Sequence, residues 1–389
     1  MKKNRIDIPG FHYYHATENL VESFNEETLS GVISTHRPFS QASAIKHITY
    51  REYMDFIKNF MISRWDDLVG ALERRFNEKM ISLSEINIAA EKKGGDYHPA
   101  SIRFIANGKK VSLVANVALT SRGRSRLLQD FVLLKHFYET GKGMFLPEPF
   151  LASTTQEQKA AELNDSMILF IGEWFEDFHE FHLTRLNDNG EVSVVVWDMD
   201  NGLRLLSVDE SRGIYRRVAY ILTSYFDFTD YREIFPWHHA AGDFAVRIGA
   251  DMDVKLVTVR QYVPRIVSEK DFKLDLYEAM LLFLCNLSMR NRIDRLDGVG
   301  DMAWAPVSIL HATVEGFLES LESRQMSGET GEGFYEGFLS ICRKLDLIAW
   351  TQLFDGTLES FNSEAPDFGV IEENLPEHIL EVYQLFQDH

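Results

Sequence analysis

Three short β-type runs follow one another closely: Ile86-Asn87-Ile88-Ala89-Ala90, Ser101-Ile102-Arg103-Phe104-Ile105, and the nine residues from Val111 to Leu119. Turn-forming residues separate them, first Lys92-Lys93-Gly94-Gly95-Asp96 and then Asn107-Gly108. Asn-Gly between two such runs is a strong hairpin signal, because both residues tolerate positive φ. The pattern predicts three antiparallel strands over 84–119.

The periodicity on either side differs. Tyr53, Phe56, Phe60, Met61, Trp65, Leu68, Val69, Leu72 and Phe76 recur at spacings of three and four, which predicts an amphipathic helix between Tyr50 and Met80. Residues 1–83 therefore read as an N-terminal helical extension, whose less regular first part is an arm or a cap on the next unit. After the strands, Leu127, Leu128, Phe131, Leu134, Phe137 and Tyr138 form one helical stripe that stops at Gly141-Lys142-Gly143. Met167–Ile171 reads as a buried strand running on to Trp174 and Phe175. Val192–Trp197 and Leu203–Leu206 flank Asp200-Asn201-Gly202, a second hairpin signal. A helix starts near Asp209, a strand is expected at Val254–Arg260, and the chain from about 268 is mostly helical, with breaks near 297–300 and 327–333. A sheet segregated from a helical mass predicts an α+β protein, divided at 1–83, 84–175 and 176–389, the last part mainly helical with an inserted hairpin.

Composition narrows the function classes. The 389 residues are 45% apolar and 25% charged, as in a globular protein, and 40 basic against 59 acidic residues give −19. So acidic a surface repels phosphate backbones and argues against a nucleic-acid partner. No apolar stretch follows the basic start, so a secretory signal is not expected. The most apolar run, Ala279–Cys285, is far shorter than the ~20 residues of a spanning helix, so it reads as a core helix and no membrane partner is expected. Cys285 and Cys342 lie far apart in apolar surroundings with no CxxC, as expected of buried thiols in a reducing cytoplasm. There is no GxxxxGK[ST], GxSxG or HExxH.

The order of elements, with Trp237-His238-His239-Ala240-Ala241-Gly242-Asp243-Phe244, resembles the protein-kinase-like fold over about 84–350, most closely its aminoglycoside and choline phosphotransferase branch. The resemblance implies a two-lobed α+β architecture, with a small antiparallel-sheet N-lobe and a helical C-lobe. It also implies Asp243 as a general base toward a substrate hydroxyl, although Ala241 stands where the family has His and His239 lies two residues further back. The other reading of Asp243 is a loop carboxylate bonded to backbone amides. The family's metal-holding Asn would fall at Ile248, and its second metal Asp at Thr258. The strand Lys would fall at Asn116, its helix partner at Asp130, and the nucleotide-covering loop at Gly94 and Gly95. An Asn–Asp pair has no ion-pair logic, and Ile cannot ligate magnesium. The resemblance thus implies a degenerate module that binds a small molecule or protein partner. An active ATP- and Mg-dependent phosphotransferase, or an unrelated α+β protein whose acidic helical half docks a basic partner, are the alternatives.

Two further patterns bear on a site. His179 and His182 would share a face on a helix, but their aromatic context is strand-like, which sends them to opposite faces. Strand alternation over 254–262 puts Thr258, Arg260 and Tyr262 on one face. Arg260 there can pair with Asp243, or hold an anion with its planar fork, setting a cation where magnesium would stand.

Overall fold

The computed structural model describes residues 7–16, 21–33, 48–91, 97–164, 166–187, 190–198, 202–239, 242–249, 251–265 and 275–388. The chain divides into two compact units, Met1–Glu176 and Asp177–His389.

The first unit runs β1 (Phe11–Ala16), β2 (Val21–Ser23), α1 (Glu26–Ser30), α2 (Tyr50–Ser63), α3 (Trp65–Phe76), β3 (Ile86–Ala90), β4 (His98–Ala106), β5 (Lys109–Ala118), α4 (Ser121–Glu139), β6 (Pro149–Ala152), α5 (Thr155–Asn164) and β7 (Ile168–Glu173). Its sheet has the order β2-β1-β3-β4-β5-β7-β6. The predicted meander is β3, β4 and β5. Asn107 and Gly108 turn the chain at φ 49° and 79°, between the paired Ala106 and Lys109. The Asn107 side-chain oxygen also accepts from the backbone N–H groups of Ile81 and Ser82, at 2.9 and 3.2 Å.

Alternation decides the two faces of this sheet. Ile86, Ile88, Ile102, Phe104, Leu113, Leu169 and Ile171 share one core with Tyr53, Ile57, Met61, Trp65, Leu68 and Leu72. On the other face the Phe131 ring of α4 lies 5.6 Å from that of Phe170. Helix α4 stops where expected, as Gly141 adopts φ 75° and the Lys142 N–H bonds the Phe137 carbonyl at 2.7 Å.

Two expectations for residues 1–83 are corrected. The single helix between Tyr50 and Met80 is two helices, because Arg64 (φ −116°, ψ 24°) breaks the run. The first part of the chain is more than helix, arm or cap. Its strand β1 pairs in parallel with β3, so the sheet is mixed rather than purely antiparallel. The pairing satisfies backbone groups that β3 would otherwise present as an open edge.

The second unit runs β8 (Glu180–Arg185), β9 (Val192–Asp198), β10 (Gly202–Leu205), α6 (Val208–Ser224), β11 (Arg232–Ile234), β12 (Phe244–Arg247), β13 (Asp253–Leu256), β14 (Tyr262–Pro264), α7 (Leu276–Asn291), β15 (Ile293–Arg295), β16 (Met302–Trp304), α8 (Val307–Met326), α9 (Phe334–Lys344), α10 (Leu347–Glu359) and α11 (Phe368–Asp388). The predicted second hairpin is β9–β10, although Asp200 and Asn201 lie outside the described residues. The strand expected at Val254–Arg260 ends at Leu256, because its partner β12 begins at Phe244, the residue paired with Leu256. Thr258 and Arg260 therefore do not share a strand face with Tyr262, which opens β14 beside β11.

Helix α7, predicted from Ala279–Cys285, is buried along nearly its whole length, and Cys285 and Cys342 are free, buried thiols. Helices α6 and α8 meet at Gly316, where a Cβ would stand 1.9 Å from the Arg216 carbonyl oxygen. Only glycine permits that approach. Among the described residues, no helix is long and apolar enough to cross a membrane.

Candidate functional site

Asp243 stands at the mouth of the β12–β13 hairpin, behind a turn that Gly242 makes possible. Gly242 has φ 65°, and a Cβ on it would lie 2.6 Å from Glu180 Oε1. The preceding segment is held by an aromatic cluster: the His239 ring lies 5.4 Å from Trp237, 5.3 Å from Phe181 and 5.1 Å from Tyr215. His239 Nε2 is 3.0 Å from Asn291 Oδ1. Asn291 Nδ2 donates to Thr313 Oγ1 at 2.8 Å and to the Tyr215 carbonyl at 3.3 Å. That amide orientation leaves Oδ1 as acceptor, so His239 carries its proton on Nε2. Burial pushes the His239 pKa down to about 4, so the ring is neutral near pH 7. In this setting His239 anchors the loop.

The Asp243 carboxylate is only 1% exposed, and both its oxygens are engaged. Oδ2 accepts from the His238 backbone N–H at 2.9 Å. Arg260 Nε lies 3.0 Å from Oδ2 and 3.2 Å from Oδ1, and Nη2 lies 2.6 Å from Oδ1. Three N–H donors make these four contacts, the Arg260 Nε–H being shared between the two oxygens, so each oxygen accepts from more than one donor. The expected meeting of Asp243 and Arg260 is thus present within the second unit, although an irregular segment delivers Arg260 where a strand was expected. Asp243 bonds a backbone amide and a cation at once.

Among the described residues, the positions that the resemblance assigns to magnesium ligands do not carry them. Ile248 supplies no ligand, Thr258 is a neutral hydroxyl, and the one buried carboxylate of the loop is already matched by a guanidinium. Among the described residues, no group of three or more His, Cys, Asp or Glu side chains is placed to hold a metal ion.

In the first unit, Asn116 lies on β5 opposite Phe170 and Pro99, half-buried, on the face turned away from the α2–α3 core. Asp130 is buried on α4 and accepts from the Tyr97 hydroxyl at 2.9 Å. Gly94 and Gly95 lie outside the described residues.

Sequence reading missed the residues that buttress the Asp243 loop. β8 turns His182 inward, 3.4 Å from Asp294 Oδ2 and 3.5 Å from Glu180 Oε2. His179, by contrast, is 4.0 Å from Asp198. Burial opposes the charged form of His182, but hydrogen bonds and charge from Asp294 and Glu180 outweigh it and lift its pKa to about 9. Glu180 thus links a buried imidazolium to the Gly242 turn. Asp294 is 112 residues from His182 in the chain, and no local pattern signals that pairing.

No family model matches the chain, and no curated protein sequence matches it.

Proposed function

We propose that this chain is a degenerate kinase-like protein, which binds a small ligand or a partner without efficient phosphoryl transfer. The observation that carries the reading is the closed Asp243–Arg260 pair. Phosphoryl transfer works by positioning and by neutralising phosphate charge with metal and lysine. A guanidinium on the carboxylate that should serve the substrate hydroxyl removes the base and repels a divalent cation. The order of elements supports the phosphotransferase ancestry: a sheet interrupted by α4, strand β7, then a mainly helical unit in which Asp243 precedes the β12–β13 hairpin. Asn116, Ile248 and Thr258 at the expected ligand positions support the loss of chemistry.

Thermal melting with ATP, with and without Mg²⁺, tests this together with an assay of ATP consumption. The expected result is a melting temperature indifferent to the metal and no turnover. Metal-dependent stabilisation accompanied by turnover would establish the active phosphotransferase instead.

A further inference from the structure

Strand β10 lies at one side of the three-stranded sheet β10-β9-β8 of the second unit. One bond fixes the phase of its ladder: the Leu206 N–H donates to the Val194 carbonyl at 2.9 Å. Antiparallel partners alternate between bonded and non-bonded pairs. Gly202 and Arg204 therefore direct their backbone groups to β9, and Leu203 and Leu205 direct theirs outward. The far side of β9 agrees. The Leu186 N–H donates to the Glu191 carbonyl at 2.8 Å, and in that phase Val195 and Trp197, which stand opposite Leu205 and Leu203, turn their own backbone groups to β8. Among the described residues, β10 pairs with no strand but β9.

The side chains make this edge apolar as well as open. Leu203 and Leu205 stand on one face of the sheet, 70% and 53% exposed. Proteins commonly protect an edge with lysine, proline or a bulge. β10 contains neither Lys nor Pro and keeps its register with β9 throughout, while the Arg204 side chain, on the opposite face, is held by Glu210. The charge around the edge is negative. Asp198, opposite Gly202, and Asp209 and Glu210, in the first turn of α6, outnumber Arg204. The whole chain carries −19, so a second copy approaches against repulsion and a basic segment is attracted.

We propose that β10 is a docking edge for an extended, basic segment of a partner protein, which joins the sheet as a further antiparallel strand. Two residues of that segment, two apart, exchange N–H···O=C bonds with Leu203 and Leu205. Residues opposite each other in a ladder share a face, so these two are apolar and cover the leucines. The residue between them falls opposite Arg204 and is uncharged, since a like charge there would be repelled. The residues on either side fall opposite Gly202 and Leu206, towards Asp198 at one end and the first turn of α6 at the other, and are lysine or arginine. The inference does not depend on the kinase-like reading.

Fluorescence anisotropy of a labelled, capped Lys-Val-Thr-Val-Lys peptide, titrated with the full chain, tests the edge. The peptide should bind, and its counterpart with glutamate at both ends should not. Methylating the two valine nitrogens removes the donors that face Leu203 and Leu205 at unchanged charge, and should weaken binding by about tenfold or more. Methylating the threonine nitrogen, which points away from β10, should leave it unchanged. Leu203→Asn removes apolar cover without adding charge, and should weaken the unmethylated peptide at least about fivefold. The proposal is overturned if the wild-type chain does not bind the peptide, if the glutamate peptide binds as tightly, or if the two methylated peptides bind alike. It is also overturned if light scattering finds a wild-type dimer that Leu203→Asn disperses, because a second copy would then occupy the edge. Should Leu203→Asn lack a cooperative melt, the methylated peptides decide on the wild-type chain alone.

Discussion

Replacing Arg260 with Met removes the cation from a buried carboxylate while keeping much of the side-chain volume. Asp243, 1% exposed, would then keep a single donor, the His238 N–H. Breaking a buried pair by deleting one partner costs about 3–5 kcal/mol. The Arg260 side chain is itself 22% exposed, so water can reach part of the space it leaves, and the lower end of that range, about 3 kcal/mol, is expected. Asp243→Asn leaves a guanidinium that can still turn towards solvent, and should cost less, about 1–2 kcal/mol. The double variant removes both charges of the pair, so the two losses should not add, and a coupling of about 2 kcal/mol is expected. Urea unfolding followed by tryptophan fluorescence measures all four proteins. Strict additivity, or an Arg260→Met protein within about 0.5 kcal/mol of wild type, would refute the idea that this pair is what closes the loop.

Two other perturbations follow from the packing and the charges. His182 has a folded pKa of about 9, above its ordinary 6.5. Its contribution is therefore fully present below about pH 6.5 and is lost as pH rises through about 9, amounting to roughly 3 kcal/mol. Urea midpoints at pH 6.5 and 9.5 should show this loss in wild type and much less of it in His182→Gln; equal losses in both would contradict it. Gly316→Ala would press a methyl group onto the Arg216 carbonyl and should destabilise by about 1–3 kcal/mol. Gly356→Ala in α10, with nothing within 4 Å, should instead stabilise by about 0.4–1 kcal/mol, and differential melting of the two variants checks the contrast.

The parts of the fold that were legible in the sequence rest on local physics. Asn107-Gly108 forces a tight turn by its own backbone preferences, and the apolar run inside α7 has no stable place except a core. Strand β1 escaped notice because its pairing with β3 joins residues 75 apart, as in Phe11 with Ile86, and its aromatic, histidine-rich sequence carries no aliphatic alternation. The convergence of Asp243 and Arg260 was anticipated from a strand alternation that the chain does not follow. The strand stops where its ladder partner runs out, yet the pair forms, because a buried carboxylate demands a cation whatever backbone delivers it. The ion pairs His182–Asp294, Arg265–Glu233 and Arg290–Asp367 join distant segments. Nothing in a periodicity reports which charge will meet which.

The most direct test of the central claim is a calorimetric comparison of ATP binding to the wild-type chain with and without Mg²⁺. The charge of the Asp243 carboxylate is already matched by Arg260, so magnesium should bring no gain in affinity. MgATP binding more than about tenfold tighter than ATP alone, equivalent to about 1.4 kcal/mol, would mean that the Asp243 site still recruits the metal and that the account is wrong.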